Sequence, residues 1–150
     1  MIRILLVDDH SIVRKGIRQI ILEELQNAIV DEATDAETMI SKVVEQEWDL
    51  VISDVSMPGR SGLDAVAQLK KIKPRLPVLI MSIHPEDHYA VRVIKSGAAG
   101  YLSKDLAPEE LVNAAKMVMK GKKYITAPVA EKLAAAINKN IDMPAHQYLS

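Results

Sequence analysis

The sequence predicts an open α/β domain. Short apolar runs of strand length recur along the chain, amphipathic stretches with helical spacing separate them, and turn and cap residues stand at the junctions. The runs are Ile2–Val7, Ala28–Ala33, Asp49–Ser53, Pro77–Ser82 and Ala99–Leu102. Four of these are almost unbroken in apolar residues, as expected of parallel strands covered on both faces. Five β–α repeats in this order imply right-handed crossovers that place helices on both faces of one sheet.

Each element has its own signal. Two aspartates, Asp8 and Asp9, end the first run abruptly. In the first helix Val13, Ile17, Ile20, Ile21 and Leu25 share one face, with Arg14, Lys15, Arg18 and Glu24 turned away from it. Thr34 with Glu37 makes a capping-box pattern before the second helix. Pro77 opens the fourth run, where its missing N–H is tolerated. Gly97 and Gly121 follow helix ends, where a left-handed cap is expected. Pro108 with Glu109 and Glu110 suits the first turn of the fifth helix. Beyond Gly121 residues 122–127 read as a connector and Pro128–Lys139 as a short helix with Val129, Leu133 and Ile137 on one side. Asn138–Gln147 has the composition of a flexible linker. The predicted organisation is therefore a domain over residues 1–123 and a linker over 124–150.

Composition narrows the class. The 150 residues are 49% hydrophobic and 26% charged, which is globular rather than disordered composition. A net charge of −1 gives no electrostatic reason for this chain itself to bind nucleic acid. Cysteine is absent, which excludes disulfides and thiolate metal sites. Aromatics are only 3%, without Phe, so the core is aliphatic. No stretch is long enough for a signal peptide or a membrane span, and a soluble, cytoplasmic protein without membrane contact is expected.

Four features fall at the C-terminal ends of strands, the edge where open α/β sheets build their sites. Asp8 and Asp9 end the first strand, Asp54 the third and Ser82 the fourth; Lys104 follows the fifth. Three carboxylates gathered in one crevice repel one another unless a cation neutralises them. Mg²⁺ suits oxygen ligands and usually combines one or two carboxylates with phosphate oxygens, which makes a phosphoryl group the missing component. Lys104 offers a point charge for its far side and the Ser82 hydroxyl a hydrogen bond. A carboxylate can itself be the nucleophile. Asp54 stands alone at its strand end, whereas Asp8 and Asp9 form a pair better suited to metal.

These residues resemble a family. Ile4-Leu5-Leu6-Val7-Asp8-Asp9-His10 is similar to the opening of bacterial two-component response-regulator receiver domains. Asp54-Val55-Ser56-Met57-Pro58-Gly59 resembles their phosphorylation-site motif, Met81-Ser82 their switch hydroxyl, and Gly97 to Lys104 their last-strand signature. The resemblance implies a flavodoxin-like (CheY-like) doubly wound sheet of order 2-1-3-4-5 with five helices. It implies that Asp54 is the phosphoacceptor, that Asp8, Asp9, Asp54 and the Ser56 carbonyl hold Mg²⁺, that Lys104 pairs with phosphoryl oxygens, and that Ser82 and Tyr101 form a switch pair. It also implies a sensor histidine kinase as donor, homodimerisation on phosphorylation, and no enzyme activity beyond the domain's own phosphoryl transfer and dephosphorylation. The segment after Gly121 and Tyr148-Leu149-Ser150 are similar to the NarL/FixJ class. In that class a LuxR-type helix-turn-helix follows, so DNA contact is expected only through a C-terminal domain beyond this chain. Two departures stand out: Asp105 follows Lys104 where many receivers have Pro, so a trans bond is expected, and Ser82 stands where Thr is commoner, which loses χ1 stiffness.

Taken singly, each residue has a plainer role. Asp8-Asp9 suits an N-cap, Asp54 a turn before Pro-Gly, Lys104 a solvated charge and Tyr101 a strand aromatic. Their joint placement at strand ends favours chemistry. Met57, Met81, Met117 and Met119 read as core or rim filler. His10, His84 and His88 suggest no shared metal site, and Lys116, Lys120, Lys122 and Lys123 read as a solvated helix end. An aspartate-nucleophile phosphatase of the haloacid-dehalogenase type would want a second acid at position 56, which is Ser. A flavodoxin-like cofactor carrier would want a Ser/Thr/Gly-rich loop where Asp8 and Asp9 stand.

Overall fold

The structure, a computed structural model, describes residues 1–57, 60–82, 87–103, 108–125, 130–131 and 134–135. The strands are β1 (Ile2–Val7), β2 (Ala28–Ala33), β3 (Leu50–Asp54), β4 (Ser56–Met57), β5 (Arg60–Ser61), β6 (Val78–Ser82) and β7 (Gly100–Ser103). The helices are α1 (Ser11–Glu24), α2 (Ala36–Glu45), α3 (Gly62–Ile72), α4 (Asp87–Lys95) and α5 (Pro108–Met119). Five strands form one parallel sheet in the order β2-β1-β3-β6-β7, which is 2-1-3-4-5 when only the sheet strands are counted. The extra pair, β4 and β5, is a small antiparallel hairpin after Asp54 that apolar periodicity does not signal.

The apolar runs become strands because both faces of the sheet are covered. Ile4, Leu6, Leu50, Ile52, Leu79, Met81 and Leu102 pack in one layer with Ile17 and Ile21 of α1 and Leu111, Val112 and Val118 of α5. Leu5, Val7, Val51, Val78, Ile80 and Tyr101 face the other layer, with Met39 and Val43 of α2, Leu69 of α3, and Val93 and Ile94 of α4. Burying one such side chain fully contributes roughly 1.5–3 kcal/mol. Met81 is core, as expected; Met117 and Met119 are half-buried at the rim. Lys116, Lys120, Lys122 and Lys123 are exposed.

Several details differ from the sequence reading: β6 begins at Val78 rather than Pro77, and β7 runs Gly100–Ser103 rather than Ala99–Leu102. The third strand runs Leu50–Asp54 rather than Asp49–Ser53: the Asp49 carboxylate accepts the Arg3 N–H at 2.8 Å, while Asp54 pairs in register with Met81. The N-cap of α2 is Asp35, not Thr34. Asp35 has extended φ and ψ and accepts the Thr38 N–H at 2.7 Å, and that bond holds its carboxyl below the ordinary value. Arg14 is not turned to solvent, as described below. The remaining punctuation holds: Pro108 opens α5 with Glu109 and Glu110 in its first turn, and Gly97 and Gly121 take positive φ, 109° and 86°, where a side chain would be strained.

The chain after α5 returns to the sheet. The Tyr124 N–H donates to the Ala99 carbonyl at 2.9 Å, and Tyr124 bridges to Gly100 at the start of β7. The approach is close: a Cβ at Gly100 would lie 2.9 Å from the Tyr124 carbonyl oxygen. Tyr124 packs against the α1/α5 layer and Ile125 against the opposite one. Of the expected helix Pro128–Lys139, Ala130, Glu131, Ala134 and Ala135 are described and are helical; the rest, with the linker Asn138–Gln147, lies outside the described residues.

Candidate functional site

The site follows from strand register. Val7 pairs with Ser53, so Asp8 and Asp54, one residue further on, emerge side by side. Asp54 pairs with Met81, which sets Ser82 just past it, and Ser82 pairs with Ser103, the residue before Lys104. Asp8 is fully buried, and Asp54 and Ser82 are 4% and 5% exposed, whereas Asp9 is open to solvent. The Asp8 backbone is held on both sides: its N–H donates to the Ala33 carbonyl at 3.1 Å, and its carbonyl accepts from Arg14 Nη1 at 2.7 Å.

Oxygens of Asp8, Asp9 and Asp54 and a ring nitrogen of His10 lie within 4.8 Å of one another. Carboxylates this close repel, and burial in low dielectric deepens the cost unless a cation is present. The donor set fits Mg²⁺: three hard oxygens converge from two adjacent strand ends, with the Asp9 side open for water or phosphate. Ser56, expected to add a carbonyl ligand, lies in β4, two residues beyond Asp54.

Two residues of the site were not anticipated. His10 Nδ1 lies 3.0 Å from Asp8 Oδ1, 3.1 Å from Asp9 Oδ1 and 3.9 Å from Asp54 Oδ2. The sequence reading found no metal site shared among His10, His84 and His88, and it did not place His10 beside the acids. The signal was its position directly after two acids: the His10 N–H donates to Asp8 Oδ1 at 2.8 Å, a turn that swings the ring back over the acids. Arg14 was the second. Besides the Asp8 carbonyl, it donates through Nε to Glu32 Oε1 at 2.7 Å, and Arg18 Nη1 donates to Glu32 Oε2 at 3.0 Å. The clue was Glu32 itself, an acid inside the apolar run of β2 and in register with Leu6 of β1. Its neighbour Asp31 takes Lys42. Burial pushes the Asp31 carboxyl up, but the Glu32 N–H and the Lys42 ammonium at 3.1 Å more than offset this, so its pKa is lowered.

Tyr101 is buried in the layer that contains Val93 and Ile94 of α4, paired in register with Ile80. Lys104 and Asp105 lie outside the described residues, as do Pro58, Gly59 and His84; the side chains of Met57 and His88 are likewise not described. Among the described residues no helix is long and apolar enough to cross a membrane.

Residues 4–116 match the family model described as response regulator receiver domain. The response regulator UvrY of Escherichia coli K12 is 38% identical over 135 residues, covering 89% of this chain and 62% of UvrY. The chain thus spans about three-fifths of the length of the curated relatives it matches. A two-component response regulator of the LuxR family from Aurantimonas superposes with a TM-score of 0.81 at 32% identity, covering 89% of this chain and 96% of that one. The receiver domain of RcsB from Salmonella enterica serovar Typhimurium, solved with the phosphomimetic beryllofluoride, gives 0.77 at 27% identity over 87% and 96% of the two chains.

Proposed function

The chain belongs to the response regulator receiver domain family, and on that premise we propose that it is a phosphorylation switch whose acceptor is Asp54. The observation that carries this is the convergence of Asp54 with Asp8 and Asp9 at neighbouring strand ends, Asp54 almost wholly buried there. A carboxylate oxygen of Asp54 attacks the phosphorus of a phosphohistidine on a sensor histidine kinase. The P–N bond breaks, the histidine leaves with the electron pair, and an aspartyl-phosphate forms on Asp54. Mg²⁺, when bound, neutralises the acids and the phosphoryl oxygens. Asp8, Asp9 and Asp54, with the Ser56 carbonyl, would hold it; without it the carboxylates would repel the incoming group. The Lys104 ammonium pairs with a phosphoryl oxygen on the other side, and the Ser82 hydroxyl donates to a third. The domain is regulatory, and the chemistry it promotes is its own phosphorylation and dephosphorylation.

Phosphorylation replaces one negative charge on Asp54 by up to about two. Ser82 follows the new oxygens, and Tyr101, whose ring lies on the α4 side of the sheet, responds in the space that the Ser82 loop leaves. The equilibrium between the two arrangements pre-exists and is biased by phosphoryl contacts made in one of them. The altered surface, between Asp87 and Lys120 or on α1 and α5, promotes a homodimer. We assign residues 1–123 to the switch and 124–150 to a segment leading to a DNA-binding domain, which dimerisation would pair on half-sites. The relatives' greater length and the LuxR-family description of the Aurantimonas protein support that output.

The test is intact mass after incubation with Mg²⁺ and a small acyl phosphate. One phosphoryl group is expected, absent in Asp54→Asn and absent in excess chelator. Stoichiometric labelling of another residue, or full labelling in chelator, overturns the assignment. Sedimentation with and without beryllofluoride reads the dimer.

A further inference from the structure

We propose that His10 is itself a ligand of this metal centre, and that it makes the centre favour a late first-row divalent ion, with Zn²⁺ as the probe, over Mg²⁺. The inference rests on the reading of Asp8, Asp9 and Asp54 as a metal site but concerns a residue and an ion outside it. Bonds of about 2.1 Å place neighbouring ligands about 3.0 Å apart at right angles and about 3.4 Å apart at tetrahedral angles. The distances from His10 Nδ1 to the three carboxylates are 3.0, 3.1 and 3.9 Å, which span these values. The ring is half-exposed, so it can turn without disturbing the core, and its backbone is pinned to Asp8 by the 2.8 Å bond.

The chemistry of the donor set decides the ion. Three carboxylates alone are a hard oxygen site that suits Mg²⁺. Adding a neutral imidazole nitrogen shifts preference along the series that rises towards Cu²⁺ and keeps Zn²⁺ well above the alkaline earths. It also changes what the site can do. Mg²⁺ held by two or three carboxylates keeps positions open for phosphoryl oxygens. Four protein ligands close a tetrahedral site, as in structural rather than catalytic zinc centres. The closed shell would leave no position for a phosphoryl oxygen beside Asp54, and phosphorylation would stop. Metal supply thus becomes a second input: Mg²⁺ licenses phosphorylation and Zn²⁺ blocks it.

The experiment titrates the purified chain with Zn²⁺ and with Mg²⁺ by calorimetry, and follows the imidazole nitrogens by long-range nitrogen–proton NMR. The expected result is tighter Zn²⁺ than Mg²⁺ binding, with the Nδ1 resonance of His10 moving on Zn²⁺ addition. A direct ligand should matter at least as much as the outer-shell partners whose loss costs roughly tenfold in affinity. His10→Asn, which keeps a hydrogen-bonding group of similar reach, should therefore lower the ratio of Zn²⁺ to Mg²⁺ affinity about tenfold or more. Acyl-phosphate labelling in Mg²⁺ should fall when Zn²⁺ is added to the wild type and fall much less in His10→Asn. An unchanged affinity ratio in His10→Asn and His10→Ala, or a stationary Nδ1 resonance, overturns the proposal. Should Asp54 accept no phosphoryl group in Mg²⁺ alone, the switch reading fails while the Zn²⁺ titration still decides the role of His10.

Discussion

Where the strands of the sheet begin, polar groups close on one another: Asp49 accepts the Arg3 N–H and returns its own N–H to the Arg3 carbonyl, both at 2.8 Å, and the Val51 N–H finds the Pro77 carbonyl at 3.0 Å. Where they end, two carboxylates, Asp8 and Asp54, are buried beside each other, with a third acid and an imidazole at the mouth. The same five strands supply both ends. One end spends its polar groups on holding strands in register; the other concentrates like charge that a cation neutralises. Residues at the first end should therefore govern stability, and residues at the second should govern binding and chemistry with little effect on folding.

The largest expected effect is at the site end. Asp54→Asn removes one of three mutually repelling carboxylates, so phosphoryl uptake should vanish while the melting temperature stays level or rises. A marked fall in melting temperature would break the contrast. At the opposite end Leu50 opens β3 and is fully buried in the α1/α5 layer. Leu50→Ala should cost about 2–5 kcal/mol in a urea titration, while the fraction still folded takes up phosphoryl as before. Loss of uptake from that folded fraction would mean that the two ends are coupled.

Arg14 sharpens the line between the ends, because it belongs to a helix yet holds the carbonyl of Asp8. Arg14→Ala should weaken Mg²⁺ binding roughly tenfold, as outer-shell changes do, and Glu32→Gln should act in the same direction more weakly because Arg14 keeps an uncharged partner. Calorimetric Mg²⁺ affinities equal to wild type in both variants would show that the clamp is only structural.

The smallest effect concerns pH. The Thr38 N–H holds the Asp35 carboxyl below its ordinary value of 3.8. A depressed carboxyl contributes stability that is present above the unfolded value and lost as pH falls through the folded one. Asp35→Asn keeps a capping oxygen without that titration. Its melting temperature should therefore fall less than that of wild type as pH drops from 5 towards 3 (about the window of a carboxylate), and parallel curves would remove Asp35 from the acid response.

Much of this was legible in the sequence because burial on both faces leaves continuous apolar runs, and because a strand's end is marked when an acid follows it. That is why the five sheet strands, the carboxylate edge and the turns at Gly97 and Gly121 were recoverable. The residues misjudged share a physical cause. Arg14 sits on the polar side of α1, and amphipathic spacing cannot tell a solvated arginine from one that reaches across to a strand end. His10 depends on a turn made by its own backbone N–H to Asp8. Thr34 and Asp35 are both good caps, and only φ and ψ choose between them. The hairpin after Asp54 has strands of two residues each, too short for periodicity to register.

The return of the chain after α5 has a mechanical consequence. Tyr124 grips one helical layer and Ile125, the next residue, grips the other, at the start of the outermost strand β7. This pair therefore straddles the rim of the sheet like a clasp, tied to both layers together. A small sliding of one layer against the other would therefore twist Tyr124 against Ile125. Since β7 runs from this clasp to Ser103, beside Ser82, a rearrangement at the acidic edge need travel only one four-residue strand to reach it.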